Sequence, residues 1–542
     1  MKLKPGFFFP LLKEYAGDVS EKEILGDWKA GINEKIIREY WIYRPFLKVV
    51  ITFNKSTSEK TYVAVEPMLV KEEVQLLDEI YKDLEDVLML KDVSISPEAK
   101  AEILVKTYRD IVREYGVVIS DVLNAKYLYY LFRDFLGIGV IEPIMDDPYI
   151  EDIHCDGYEI PVYVYHKEFG NLRTYLKFSQ EALDRYVQAL VQICNKHISH
   201  GNPIIDATLP DGSRLQATYG MDVTPRGSSF TIRKFSEDPL TPIDLLRLGT
   251  YTAEQLAYFW MAVENKLNVM IIGETASGKT TTLNALLMFV PPEAKIVSIE
   301  DTREIALMHE NWVAEVTRQA IGDQEKEIDM YDLLKTSLRQ RPDYIVVGEV
   351  RGREAQTLFQ AMSTGHAAYA TLHAGDIQQA IYRLENEPLN VPRSMIQFLD
   401  IIIVQIQWTK GGVKKRRARG VYEVLGIDPS DKNLLINEVY VWDPYSDTYI
   451  LSGIMKKLEK IAMVTGDDLD ATYGELRRRE TFLRKLHELG VRNYRDVTSL
   501  IHAYYRNPDQ EIEKIIKDTL EYRRAEEEKL KEKGIGVYSS YA

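Results

Sequence analysis

The run GETASGKTTTLNALL, Gly273 to Leu287, constrains this chain more than any other stretch. Gly273, Gly278, Lys279 and Thr280 satisfy the pattern G-x-x-x-x-G-K-[ST]. An apolar run, Asn268 to Ile272, precedes it, and Leu283, Leu286, Leu287 and Val290 recur behind it at helical spacing. Strand, glycine-rich loop and helix thus follow in the order that a phosphate seat needs, because the first turn of a helix carries unpaired N–H groups and the positive end of the dipole. In such a seat Gly273, Glu274, Thr275, Ala276, Ser277, Gly278, Lys279, Thr280 and Thr281 surround the phosphates. Lys279 reaches the β- and γ-phosphates of ATP and the Thr280 hydroxyl ligates Mg²⁺.

A chain of 542 residues can hold three or four domains, each with its own core. Its formal charge of −15 and pI near 5.3 argue against a general nucleic-acid or anionic-membrane binder. Cys155 and Cys194 are too few for a disulfide framework or a four-cysteine zinc site, so a reducing, cytoplasmic setting is expected. With no run of about 18 apolar residues, any membrane association is expected to go through a protein partner.

Residues 1–110 combine strand-like pieces with charged helical stretches and show no chemistry, so they are read as an accessory region. Residues 111–235 read as a small α+β domain. It closes with PDGSRLQATYG, carrying Arg214, and SSFTIRKF, carrying Arg233 and Lys234. SEDPLTP, Ser236 to Pro242, interrupts the patterning with two prolines, and a hinge linker is placed at 236–247. From 248 to 420 strands alternate with helices, which predicts a parallel sheet covered on both faces. Next to TKGG lies the basic run Lys414 to Arg419, either a solvated hairpin tip or a docking patch for an acidic partner. From 421 onward strand-like pieces lead to helices, Asp467 to Leu489 and Asp509 to Lys533, and residues 421–542 as a whole read as a mostly helical C-terminal appendage.

Hydrolysis also needs a carboxylate to orient water, another to help hold Mg²⁺, and cations for the transferring phosphate. In open parallel sheets, ligands bind at the strands' C-terminal ends. The strand Lys295 to Ile299 leads into Glu300, Asp301, Thr302, Arg303 and Glu304; Asp343 to Val347 leads into Gly348, Glu349, Val350 and Arg351; Ala367 to Leu372 leads into His373, with His366 ahead of it.

These motifs carry a resemblance. The phosphate loop resembles the Walker A of the type II/type IV secretion ATPase superfamily, the motors of type IV pili, type II secretion and archaella. EDTRE resembles its aspartate box, LRQRPDYIVVGEVR its Walker B region and STGHAAYATLHA its histidine box. HENWVAEVTR, His309 to Arg318, and the long region after the motor look most like the archaeal branch, particularly the archaellum motor ATPase. Thr302 replaces a proline common in the aspartate box and Gly352 an acidic residue common after Walker B, but neither touches the carboxylates. The resemblance implies an α/β fold in which a RecA-like P-loop motor domain follows a smaller α+β domain. It implies that Glu349 and Glu304 divide Mg²⁺ coordination and water activation, without saying which does which. It further implies that His373 senses the γ-phosphate and that Arg214 and Arg233 act as arginine fingers, with Arg339, Arg341 and Arg351 as weaker candidates. The protein so implied is a cytoplasmic, ring-forming homohexameric ATPase. It works on an archaellum or pilus through a polytopic membrane platform protein, without zinc, and the acidic charge of the chain disfavours nucleic acid as a partner. An adhesive pilus, a type II-like secretion system, a nucleic-acid translocase and a non-hydrolysing P-loop switch stay open as alternatives.

Overall fold

A computed structural model describes residues 8–26, 28–31, 33–87, 96–235, 238–318, 327–410 and 413–532. Ser236 and Glu237 of the expected linker, Gly411 and Gly412 of the expected turn, and Lys533 at the end of the last expected helix lie outside the described residues. The chain divides into two units, 1–235 and 236–542.

The first unit is built on one nine-stranded sheet. Its strands are β1 (Glu34–Tyr43), β2 (Leu47–Asn54), β3 (Lys60–Val65), β4 (Ile150–Cys155), β5 (Tyr163–His166), β6 (Gly170–Thr174), β7 (Ile204–Thr208), β8 (Arg214–Thr218) and β9 (Ser229–Arg233). They run β1-β2-β3-β6-β5-β4-β9-β8-β7 across the sheet. The expected boundary at 110/111 does not separate structural pieces. β3 pairs with β6 in parallel, Thr61 opposite Arg173 and Tyr62 opposite Thr174, and the helix Pro97–Tyr115 runs across the boundary itself. Two register pairs joining segments more than a hundred residues apart leave no local mark in the sequence.

The second unit's sheet follows from its strand sequences. Its strands are β10 (Val269–Gly273), β11 (Ile296–Glu300), β12 (Trp312–Val316), β13 (Tyr344–Val347), β14 (Ala367–His373), β15 (Ile401–Lys410), β16 (Val413–Ile427), β17 (Leu434–Asp443) and β18 (Thr448–Leu451), in the order β12-β11-β13-β14-β10-β15-β16-β17-β18. From β12 to β15 all pairings are parallel, and from β15 to β18 all are antiparallel. Every residue of β10 is buried, as a continuous apolar strand in a sheet with two covered faces must be. Val269 and Ile271 point into one core and Met270 and Ile272 into the other, the period of two that splits a strand between faces.

Two regions depart from the expected boundaries. Pro242–Arg247, placed in the linker, is a helix with a capping box between Thr241 and Asp244, and Ile243 and Leu245 are buried. The boundary at 420/421 falls inside β16, and the strand-like pieces expected from 421 onward mostly extend the same sheet as the rest of β16, then β17 and β18. The helices Lys456–Thr465, Leu469–Glu488, Tyr494–Arg506 and Ile512–Glu532 follow, and they share a core with this sheet. Trp260, buried in the helix Ala253–Glu264, stacks on Phe289 and donates its indole N–H to Tyr505 at 2.8 Å. The helical region after β18 therefore packs into the second unit's interior.

Candidate functional site

The parallel strands β10, β11, β13 and β14 end near one edge of the second unit's sheet, and the phosphate loop lies at that edge. β10 runs into Gly273, and the helix Lys279–Leu287 opens behind the loop. A Cβ at Gly273 would collide with the Gln405 carbonyl oxygen of the neighbouring strand and with Ser277 Oγ. Gly278, which caps the helix, has φ 95, and Ala276 has φ 61, a left-handed conformation that a residue with a Cβ rarely adopts. The loop holds itself open from within. Ser277 Oγ donates to the Glu274 carbonyl at 2.8 Å, and Lys279 Nζ donates to the carbonyls of Gly273 and Glu274, each at 3.0 Å.

Burial depresses the Lys279 ammonium below its usual range, and the carboxylates of Glu349 and then Glu304 oppose that shift. Both expected carboxylates thus act on the lysine of the loop. Glu349 Oε2 accepts from Arg351 Nη2 at 2.5 Å, and Arg351 Nη1 donates to Asp301 Oδ2 at 3.3 Å. Arg351 is here an ion-pair partner of the acidic cluster. At the end of β14, His373 Nε2 lies 3.0 Å from Thr275 Oγ1 of the loop, and an open depression is lined by Glu274, Thr275, His373, Gly375 and Gln379. His366 lies just before the start of the same strand, where its Nδ1 is 3.2 Å from Thr364 Oγ1. Seven residues at about 3.3 Å each put it roughly 20 Å from the loop.

Three contributions were not legible as site chemistry in the sequence. Glu300 Oε1 accepts the backbone N–H groups of Glu304 at 2.9 Å and Ile305 at 3.0 Å, which fixes the start of the segment carrying Glu304. Burial pushes the Glu300 carboxyl up to about 7 against the pull of these two amides, and its Oε2 is buried without a hydrogen-bond partner. Asn284, inside the phosphate-loop helix, donates to the Glu304 carbonyl and accepts from Ala306 N–H, both at 3.0 Å. The third is Arg416, whose Nε donates to the Ala276 carbonyl at 3.1 Å. Glu300 was visible as a strand-end acid, whereas its burial, and the reach of Asn284 and Arg416, depend on tertiary placement.

In the first unit Arg214 and Arg233 are register partners on β8 and β9, and both are exposed. Arg214 Nε donates to Asp206 Oδ1 at 3.1 Å. Arg339 lies in the turn Leu338–Gln340 and Arg341 follows it at φ 52, both exposed. No described contact ties either to the loop.

Comparison with known proteins places these features. A family model described as type II/IV secretion system protein matches residues 142–410, and one described as PilB3-like, C-terminal, matches 458–521. The chain is 36% identical over 477 residues to the uncharacterized protein MJ0900 of Methanocaldococcus jannaschii, covering 84% of this chain and 86% of that one. It is 34% identical over 258 residues to a probable conjugal transfer protein TrbB of Sinorhizobium fredii, covering 46% and 75%. Among solved structures, the ATPase DotB of Yersinia pseudotuberculosis is 16% identical with a TM-score of 0.39, covering 69% of this chain and 93% of that one.

Proposed function

We propose that this chain, which belongs to the type II/IV secretion system protein family, is a ring-forming motor that hydrolyses ATP to drive assembly of an archaellum or type IV pilus-like filament. The observation that carries the reading is the phosphate loop with Lys279 in the field of Glu349 and Glu304 and with His373 bonded to Thr275. A switch that only bound nucleotide would need no pair of carboxylates facing the phosphates. Gly273 to Thr281 hold the triphosphate, and Lys279 exchanges its two carbonyl partners for phosphate oxygens when nucleotide enters.

Acidic groups beside a lysine in a glycine cradle are also the donor set that Mg²⁺ takes in phosphoryl-transfer sites, hard oxygens with substrate phosphates completing the shell. Thr280 and Glu349 are the residues proposed to hold it. Bound there, Mg²⁺ would offset charge on the phosphate oxygens. Of Glu349 and Glu304, one orients the attacking water, and His373 reports the terminal phosphate to the loop through Thr275. Arg214 and Arg233 are proposed to serve the nucleotide as arginine fingers, so that turnover depends on the first unit.

Among the described residues no helix is long and apolar enough to cross a membrane. As part of the same proposal, the protein is a cytoplasmic homohexamer bound to the membrane through a polytopic platform protein. The deciding experiment is ATPase activity of Lys279→Ala. Activity is expected to vanish, and wild-type turnover in this variant would sink the assignment. Recovery of a platform protein from native membranes with the tagged chain tests the filament reading, and its identity separates archaellum from adhesive pilus or type II-like secretion.

A further inference from the structure

The basic run Lys414 to Arg419 has no role in the function proposed above, yet the sheet carries it to the nucleotide end of the second unit. β15 lies beside β10 with Gln405 opposite Gly273, the last residue before the phosphate loop. Beyond that point β15 continues from Ile406 to Lys410, past the end of β10, and there it pairs with the basic stretch: Ile406 opposite Arg417, Gln407 opposite Arg416, Trp408 opposite Lys415 and Thr409 opposite Lys414. The run is thus the arm of a hairpin that projects past the sheet edge on the side where the loop begins.

Alternation along β16 sends its cations to different places. Arg417 is buried, and it donates Nε and Nη2 to Asp447 at 2.7 and 2.9 Å and Nη1 to the Leu248 carbonyl at 3.0 Å. Lys415 shares Asp447 at 3.1 Å. Arg416 turns the other way. Its stem lies so close to Gly278 that a Cβ there would sit 3.1 Å from Arg416 Cδ, and its Nε is bonded to Ala276, one of the left-handed residues of the loop. A carbonyl accepts the hydrogen bond but does not neutralise the guanidinium. Among the described ion pairs Arg416 has no acidic partner, and its side chain is exposed. A full positive charge is thus held against the anion seat, where a nucleotide would supply its counter-charge.

We propose that Arg416 is a second cation of the nucleotide site, contributed by the hairpin, which adds to Lys279 in binding the phosphates of a nucleoside triphosphate. This rests on the ATP-binding reading given above. Two roles have to be separated, since the Arg416 bond could simply set the shape of the loop. Arg416→Gln keeps an N–H donor for the Ala276 carbonyl and removes the charge; Arg416→Lys keeps the charge and loses the fork. Lys414→Ala removes one charge from the same face of the strand, farther toward the hairpin end.

The test is equilibrium titration of the full chain with ATP. Loss of a charge-assisted hydrogen bond predicts affinity about tenfold or more weaker in Arg416→Gln, a smaller loss in Arg416→Lys, and wild-type affinity in Lys414→Ala. Wild-type affinity in Arg416→Gln, alongside lost binding in Lys279→Ala, overturns the proposal and leaves Arg416 as a loop support. A loss in Lys414→Ala equal to that in Arg416→Gln also overturns it, by assigning the effect to overall charge. Unchanged binding in both Arg416→Gln and Lys279→Ala would remove the phosphate-loop reading itself.

Discussion

Arg214 and Arg233 face each other directly across β8 and β9, two guanidinium side chains on one exposed face of the first unit. Like charges directly opposite one another in a sheet cost stability. Asp206 bonds Arg214, and Asp152 is the register partner of Arg233 on its other side, so the pair is tolerated. Exposed ion pairs contribute only about 0–1 kcal/mol, and fold stability therefore gives little reason for keeping both arginines. Arg233→Ala is expected to leave the melting temperature nearly unchanged and to lower ATPase activity of the full chain toward the 10³-fold or more that an arginine finger is worth, roughly. A variant that melts early and keeps its activity would make the arginines structural.

The two carboxylates can be separated by substitution. Glu349→Gln preserves shape and removes charge, and the ion pair it loses with Arg351 is partly exposed. ATP binding should persist while hydrolysis falls by about 10²-fold or more, the range of a general base. Glu304→Gln leaves its own backbone clamps to Glu300 and Asn284 in place. Whichever variant needs more Mg²⁺ to reach its own maximal rate identifies the metal-holding carboxylate, and the other is the base. If neither substitution slows hydrolysis, the carboxylates are not part of the chemistry.

Gly273→Ala tests whether the loop geometry is required as built. The added methyl meets the Gln405 backbone carbonyl as well as Ser277 Oγ, and backbone in a central sheet cannot yield as a flexible side chain can. We expect a lower melting temperature, by the equivalent of about 1–3 kcal/mol, together with loss of ATP binding. Stability and binding at wild-type levels would mean that the sheet and loop part more readily than this packing allows.

The phosphate loop and the strand-end acids were legible because each is a local pattern: an apolar strand, then a polar or glycine-rich turn, then helical spacing. The same locality hid the rest. β12 reads weakly because it is an edge strand with exposed Val313 and Val316, and the pairing of β3 with β6 depends on residues far apart in the chain. Lys414 to Arg419 looked like surface because a strand on a sheet's projecting arm has the composition of one. Only the register with β15 brings Arg416 to the loop while Arg417 turns inward.

His309 and His502 make stability depend on pH. Their rings lie 5.1 Å apart, and His309 Nε2 is 3.1 Å from the Val290 carbonyl, while His309 Nδ1 and His502 Nε2 are buried without hydrogen-bond partners. Burial, then the neighbouring His309 and Arg506, push the His502 imidazole down to about 4, and burial also depresses His309. A depressed folded pKa means that the unfolded chain binds more protons, so the stabilisation is present above the ordinary value near 6.5 and is lost as pH falls toward 4. The melting temperature should decline across that window, and His502→Phe should decline less while melting no lower than wild type near pH 7.5. Parallel curves for the two proteins would show that His502 does not titrate on unfolding.

The second unit is expected to fold on its own. Among the described residues, the buried members of its two hydrophobic cores run from Ile243 to Ile516, and those of the first unit's cores from Leu12 to Ile232. Each unit therefore buries apolar surface without borrowing from the other, which is the physical condition for folding separately. A fragment starting near Leu240 keeps the capping box at Thr241, the phosphate loop, Glu304, Glu349, His373 and Arg416, and should fold and bind ATP. It lacks Arg214 and Arg233. If those arginines serve the transferring phosphate, the fragment hydrolyses ATP far more slowly than the full chain, and adding Arg214→Ala or Arg233→Ala to the full chain reproduces much of the deficit. The comparison has to be made at matched assembly, checked by light scattering, because a ring motor that fails to assemble also loses turnover. A fragment that assembles like the full chain and turns over ATP equally fast would show that the first unit contributes no catalytic charge, and the dependence of hydrolysis on it would have to be abandoned.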